Sequence, residues 1–123
     1  MVHLFVPLAV WAWNRAKRLV KRPKILLADT GLISHLIDLD KAQIEKDATA
    51  YGRLLECFVA MELQKQMTSS RIRPSMYHFR THNNAEVDLV LESPSGDIVG
   101  IEVKAASRVR GEDLHAIPVT ALW

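Results

Sequence analysis

Cysteine is almost absent: Cys57 stands alone among 123 residues. A single thiol excludes an internal disulfide, and with no CxxC or Cys/His cluster the familiar zinc spacings are excluded too. A reducing, cytoplasmic compartment is the expectation. Long apolar runs are also missing. The longest stretch, Met1 to Trp13, is interrupted by Pro7, and its length of about a dozen residues falls short of the roughly 20 that a bilayer span needs, so no membrane association is expected. It is not a secretory signal either, because its basic residues follow the apolar run instead of preceding it. No charge of one sign dominates. The 16 Lys/Arg against 14 Asp/Glu leave a net charge of +2, too balanced to announce a nucleic-acid binder by itself. No GxxxxGK[ST] loop occurs, so no ATPase activity is expected from this chain, and no internal repeat or low-complexity tract is visible.

What is present is ordinary globular composition, with 49% apolar and 24% charged residues, enough to build the core of a single domain. The charges are unevenly placed. Arg15, Lys17, Arg18, Lys21, Arg22 and Lys24 form a run of bases with no acid among them. Such a run is either a solvated face or a strip for phosphates or an acidic partner. The apolar start reads as a segment that packs on a core or on a neighbouring domain. Leu8 to Val20 reads as a helix with Trp11 and Leu19 opposite the basic face, ended by Pro23. Lys24 to Ala28 is a short strand. Asp29 or Thr30 then caps a helix over Gly31 to Ile37, and Asp38 to Asp47 is a loop with a weak helical turn.

From Thr49 to about Gln66 the apolar residues Tyr51, Leu54, Leu55, Phe58, Val59 and Leu63 recur at helical steps. Ser69 and Ser70 mark the end of that helix. Then the period changes to two. Met76 to Thr81, Glu86 to Glu92 and Ile98 to Ala105 read as three strands. Asn83-Asn84 and the cluster Ser93-Pro94-Ser95-Gly96-Asp97 supply the turns. Short loops demand antiparallel neighbours, so the strands form a meander and the fold class is α+β.

With the second loop centred on Ser95, Asp88 faces Glu102 and Glu86 faces Lys104. Val87, Leu89 and Leu91 point to one side of the sheet, Glu86 and Asp88 to the other. Two opposed carboxylates destabilise a sheet unless a metal ion, a shared proton or a neighbouring cation such as Lys104 neutralises them. The alternative is a solvated face on which Glu86 and Lys104 make a cross-strand ion pair.

Asp88, followed after a hairpin by Glu102-Val103-Lys104, resembles the D…ExK signature of the PD-(D/E)XK nuclease superfamily. Gly52-x-x-x-Glu56 lies on the preceding helix, in the order that superfamily requires. The segments RPKILLADTGL (22–32), YGRLLECFVAMEL (51–63), YHFRTHNNAEVDLVLE (77–92) and GDIVGIEVKAASRV (96–109) are more closely similar to the uncharacterised C-terminal domain of prokaryotic AAA-like P-loop ATPases. The resemblance implies a restriction-endonuclease-like αβββαβ core over residues 24–123, with residues 1–23 as the remnant of a linker to an ATPase module. Ser107 to Trp123 leave room for one short helix and at most a stub of strand, so the core is expected to be short at its C-terminus, with an open sheet edge that invites self-association.

The same resemblance implies a Mg²⁺- or Mn²⁺-dependent DNA phosphodiester hydrolase. Asp88 and Glu102 would bind the metal, Glu56 would complete the site, and Lys104 would orient the attacking water. E-x-K spacing returns both groups to one face of a strand. Two other readings stay open: a non-catalytic module that docks DNA or a partner ATPase, and an inactive fragment. Arg80, Lys17, Arg18, Lys21 and Arg22 are the candidate nucleic-acid contacts, with His82, Arg108 and Arg110 as further possibilities on a basic rim. Glu62 projects nearer the centre of the helical stripe than Glu56 and is a candidate buried partner for Arg80 or Lys104. His35 reads as structural, Asp29 as a cap and Cys57 as packing.

Overall fold

A computed structural model describes residues 4–36, 41–83 and 85–105. Phe5–Leu8 (β1) and Lys24–Leu27 (β2) pair antiparallel, with the short helix Arg15–Val20 (α1) between them. Helices Thr30–Leu36 (α2) and Lys41–Lys46 (α3) lead into the long helix Ala48–Ser69 (α4). Ser75–Arg80 (β3), Glu86–Glu92 (β4) and Ile98–Ile101 (β5) form an antiparallel sheet in the order β3–β4–β5. The α+β class and the meander are therefore those expected from the change of period. The expected C-terminal helix, Arg108 and Arg110 lie outside the described residues, as does Asn84 of the first turn.

The N-terminal segment departs from expectation. No helix spans Leu8 to Val20; α1 begins only at Arg15, where the Asn14 side chain accepts from the Ala16 N–H at 3.0 Å. The residues before it are extended. Leu8 pairs with Lys24, and Val10 bridges to His78 in parallel. The Trp11 N–H donates to the His78 carbonyl at 2.6 Å and the His78 N–H to the Ala9 carbonyl at 3.0 Å. This pairing covers the outer edge of β3, which a helix through the same residues would leave open, and it buries Leu8, Val10 and Trp11. Pro7 fits because β1 pairs on one side only among the described residues, where a missing N–H costs no ladder bond. A boundary between residues 23 and 24 would therefore separate two paired strands, and Leu8, Val10, Trp11 and Arg18 on its N-terminal side are buried.

One base of the N-terminal run is a core residue. Arg18 is only 9% exposed and is held in a fork by Glu92, at 2.6 and 3.2 Å. Its Nε donates to the Ala12 carbonyl at 2.6 Å, and its guanidinium lies 5.4 Å from the Trp11 ring centre and 4.9 Å from that of Tyr77. The expected nucleic-acid role of Arg18 is corrected accordingly: three of its five donors and its charge are engaged inside the molecule.

Helix α4 starts at Ala48, where Asp47 caps it, accepting from the N–H groups of Thr49 and Ala50, each at 3.0 Å. Asp29 does the same for α2, through the Leu32 N–H at 2.9 Å. The buried face of α4 carries Cys57, Ala60 and Met61, whereas Tyr51 and Phe58 are exposed. Apolar residues occur on several sides of this helix, so periodicity does not choose the face. The small Cys57 and Ala60 do, by admitting Leu8, Leu26 and Leu89. Glu62 consequently points outward and pairs with Lys65 at 2.6 Å, which corrects its expected burial.

A second core, made of Trp11, Phe79, Val87 and Val90, exposes a break in the expected alternation of β4. Tyr77 pairs with Val90 but Phe79 pairs with Val87. Asp88 and Leu89 thus oppose one residue, His78. A bulge of this kind inserts one residue and exchanges faces. Val87 and Val90 share the Trp11 cluster, while Leu89 packs with α4. The β4–β5 register, from Leu89↔Ile101 to Glu92↔Ile98, is the one that a loop centred on Ser95 requires. That loop is closed by Asp97, whose carboxylate accepts from Ser95 at 2.6 Å and Ser93 at 3.1 Å, and by Gly96 with φ of 95°.

Candidate functional site

Asp88 was expected across from Glu102 and in one site with Glu56. The β4–β5 register, carried one residue beyond Leu89↔Ile101, sets Asp88 opposite Glu102, and Asp88 comes close enough to Glu56 on α4 for its charge to act on that side chain. Its Oδ2 accepts the Val103 N–H at 2.8 Å. A carboxylate thus takes the backbone donor that a further strand pair would have used, and β5 ends at Ile101 instead of reaching Ala105. Asp88→Ala should therefore free this segment: hydrogen exchange at the Val103 amide is expected to speed up at least about tenfold, while amides in the centre of α4 stay protected. Unchanged exchange at Val103 would contradict the contact.

Glu56 is held by Lys24, which reaches from β2 and forms an ion pair with it. The same ammonium lies 3.7 Å from Glu86. Burial pushes the Glu56 carboxyl above the usual range, Lys24 opposes that, and the charges of Asp88 and Glu86 add to it. The amine beside the acids is thus Lys24, not Lys104. Lys104 sits beyond β5, 3.5 Å from Glu102 and partly exposed with it, and the expected Glu86–Lys104 pair is replaced by Glu86–Lys24. Gly52 lies beside Ala105, but a Cβ there would meet it only at 4.0 Å, an ordinary contact that does not demand glycine.

Among the described residues no three His, Cys, Asp or Glu side chains converge as a metal-holding group. Where Glu56, Glu86 and Asp88 approach one another, the positive charge already present is an ammonium. Octahedral Mg²⁺ needs oxygen donors with room for several waters. The arrangement of Glu56, Asp88, Glu102 and Lys104 does not fit such an ion, and no step through a metal follows from it.

Next to these acids is a groove of about 540 Å³. The segment between α1 and β2 gives it Lys21 and Arg22, β2 gives Lys24, and β3 gives Arg80. His78 and His82 line it as well, and the one carboxylate in its lining is Glu86. Three of the expected nucleic-acid contacts, Lys21, Arg22 and Arg80, are thereby brought together from distant parts of the chain. Lys17 is exposed on α1 and is not part of this lining.

The residue that sequence reasoning passed over is His78. It is 7% exposed, and neither ring nitrogen has a hydrogen-bond partner. Leaving a buried donor or acceptor unpaired costs about 1–3 kcal/mol. Burial, with Lys24 and Arg80 nearby, holds the ring below the ordinary histidine range, while Glu86 opposes them. In the sequence the signal was a lone histidine at a strand position, and nothing local distinguishes it from a packed core residue.

Residues 51–120 match the family model described as a domain of unknown function, DUF4143. This chain belongs to the DUF4143 family. Among curated proteins it is similar to the uncharacterized proteins Rv2008c of Mycobacterium tuberculosis and Mb2031c of Mycobacterium bovis. Each is 33% identical over 100 residues, which is 81% of this chain and 22% of the relative. The chain thus spans about a fifth of the length of these relatives. No solved structure matches it. No helix among the described residues is long and apolar enough to cross a membrane.

Proposed function

We propose that this DUF4143 chain is a DNA-docking module, in which the groove between β2 and β3 holds the phosphate backbone. The observation that carries the reading is the convergence of Lys21, Arg22 and Arg80 on one groove, beside a Lys24 already paired with Glu56, with Glu86 the one carboxylate in the lining, in a chain whose net charge is only +2. Phosphate neutralisation by Lys and Arg supplies affinity without sequence specificity. The likeness of four segments to the C-terminal domain of AAA-like ATPases, and of Asp88 with Glu102-Val103-Lys104 to the PD-(D/E)XK signature, supports the same reading. On this reading the three-stranded meander is part of a restriction-endonuclease-like fold, and an ATPase module is the covalent or docked partner. Between cleavage and docking, the geometry favours docking, because Lys24 holds Glu56 and Glu86 while Glu102 pairs with Lys104.

The test is duplex binding as a function of salt. Wild type should bind with an affinity that falls steeply as salt rises. Arg80→Ala should weaken binding to all sequences alike and lower the slope of log K against log salt by about 1. A variant with the wild-type slope, or a wild type that binds no duplex, would overturn the reading. Mg²⁺-dependent cleavage of the duplex, abolished by Asp88→Ala, would replace docking by hydrolysis.

A further inference from the structure

Charge alone explains why phosphate would enter the groove, but not why a histidine with two unpaired nitrogens lines it. The backbone of His78 is fully engaged: its N–H goes to Ala9 and its carbonyl accepts from Trp11. The backbone of His78 is thus held by the Ala9–Trp11 segment and lies opposite the β4 bulge, and the residue lines the groove. It is more than nine-tenths buried, and both nitrogens lack a partner. A neutral imidazole carries one donor and one acceptor. The groups that face it are cationic except one: Lys24 from β2 and Arg80 from β3 against Glu86 from β4, with Lys21, Arg22 and His82 around the same groove. A ring so placed lacks an anion.

We propose that the imidazole of His78 is the floor contact for a DNA phosphate seated in this groove, donating a ring N–H to a non-bridging oxygen. The inference rests on the docking reading and adds to it a proton. Burial is the main cause that keeps the ring neutral, and Lys24 and Arg80 add to it; a phosphate against the ring supplies the negative charge that opposes all three, and the second ring nitrogen then takes up a proton. Binding is linked to that uptake, so affinity rises as pH falls through the midpoint that His78 has in the complex.

The test reads His78 in the wild-type chain. Its ring resonances, assigned through bonds to the backbone, are followed from roughly pH 5 to 8 with and without a short DNA duplex. The expected result is a midpoint about one pH unit or more higher in the complex, with duplex affinity rising by up to about tenfold per pH unit over that interval. His78→Gln should flatten the pH dependence of binding, and His35→Gln, exposed on α2 and outside the groove lining, should leave it in place. A His78 midpoint unmoved by saturating duplex overturns this proposal and leaves the docking reading standing. Failure of the duplex to bind at every pH overturns the docking reading and this proposal with it. The titration uses the unaltered chain, so the outcome stands even if His78→Gln does not fold.

Discussion

Arg18→Ala is expected to lower the free energy of unfolding by about 3 kcal/mol, the range in which breaking a buried ion pair falls. The loss has three physical sources: the fork to Glu92, the bond to the Ala12 carbonyl, and the packing between Trp11 and Tyr77. Glu92, left with its charge at 15% exposure, adds desolvation without a partner. Chemical denaturation measures the change. The Arg18→Ala/Glu92→Ala double variant separates the ion pair from the packing, because a coupling energy near zero would assign the whole effect to the rings. The pair also sets an acid limb. The bond from Arg18 holds the Glu92 carboxyl below its ordinary range, so its contribution is complete above the unfolded-chain value, about 4.3. It is lost as pH falls through the lower folded value. Arg18→Ala should be less sensitive to acid over that interval than wild type, and an identical acid limb in both would remove the pair from the account.

Lys24→Met has the second large effect, with the opposite pH signature. Without the ammonium, Glu56 keeps its burial and the neighbouring charges of Asp88 and Glu86, and its carboxyl rises further. A raised acid binds its proton more tightly folded than unfolded, so stability falls as pH rises from the ordinary carboxylate value through the folded one. The variant should lose about 2 kcal/mol at neutral pH, less than a fully buried pair would lose because Lys24 is a quarter exposed. It should recover most of that loss near pH 5. Adding Glu56→Gln should remove the pH dependence and restore part of the stability at neutral pH. Thermal melts over this pH range decide the matter: a Lys24→Met variant equally destabilised at both ends would mean that Glu56 is not the group responsible.

Local sequence determined much of the architecture. The helical period up to the serines at 69 and 70, the switch to a period of two, and the turn chemistry around Ser95 placed α4, the meander and the β4–β5 register, because each depends on residues near one another in the chain. Asp29 was legible as a cap for the same reason. Tertiary structure decided the rest. Whether Leu8 to Trp11 coils or extends depends on the free edge of β3, some seventy residues away. Which side of α4 is buried depends on what packs against Cys57 and Ala60. The bulge at Asp88 and Leu89 has no compositional mark, since it exists only as a mismatch with His78 on another strand. Asp88 and Glu56 come near one another from β4 and α4, and the β1–β2 pair brings Lys24 to the same place. The base run of the sequence is likewise divided by packing: Arg18 goes inward to Glu92, while Lys21, Arg22 and Lys24 meet Arg80 in the groove. Charge and period are local properties. The partner that each charge finds is fixed only when distant strands pair.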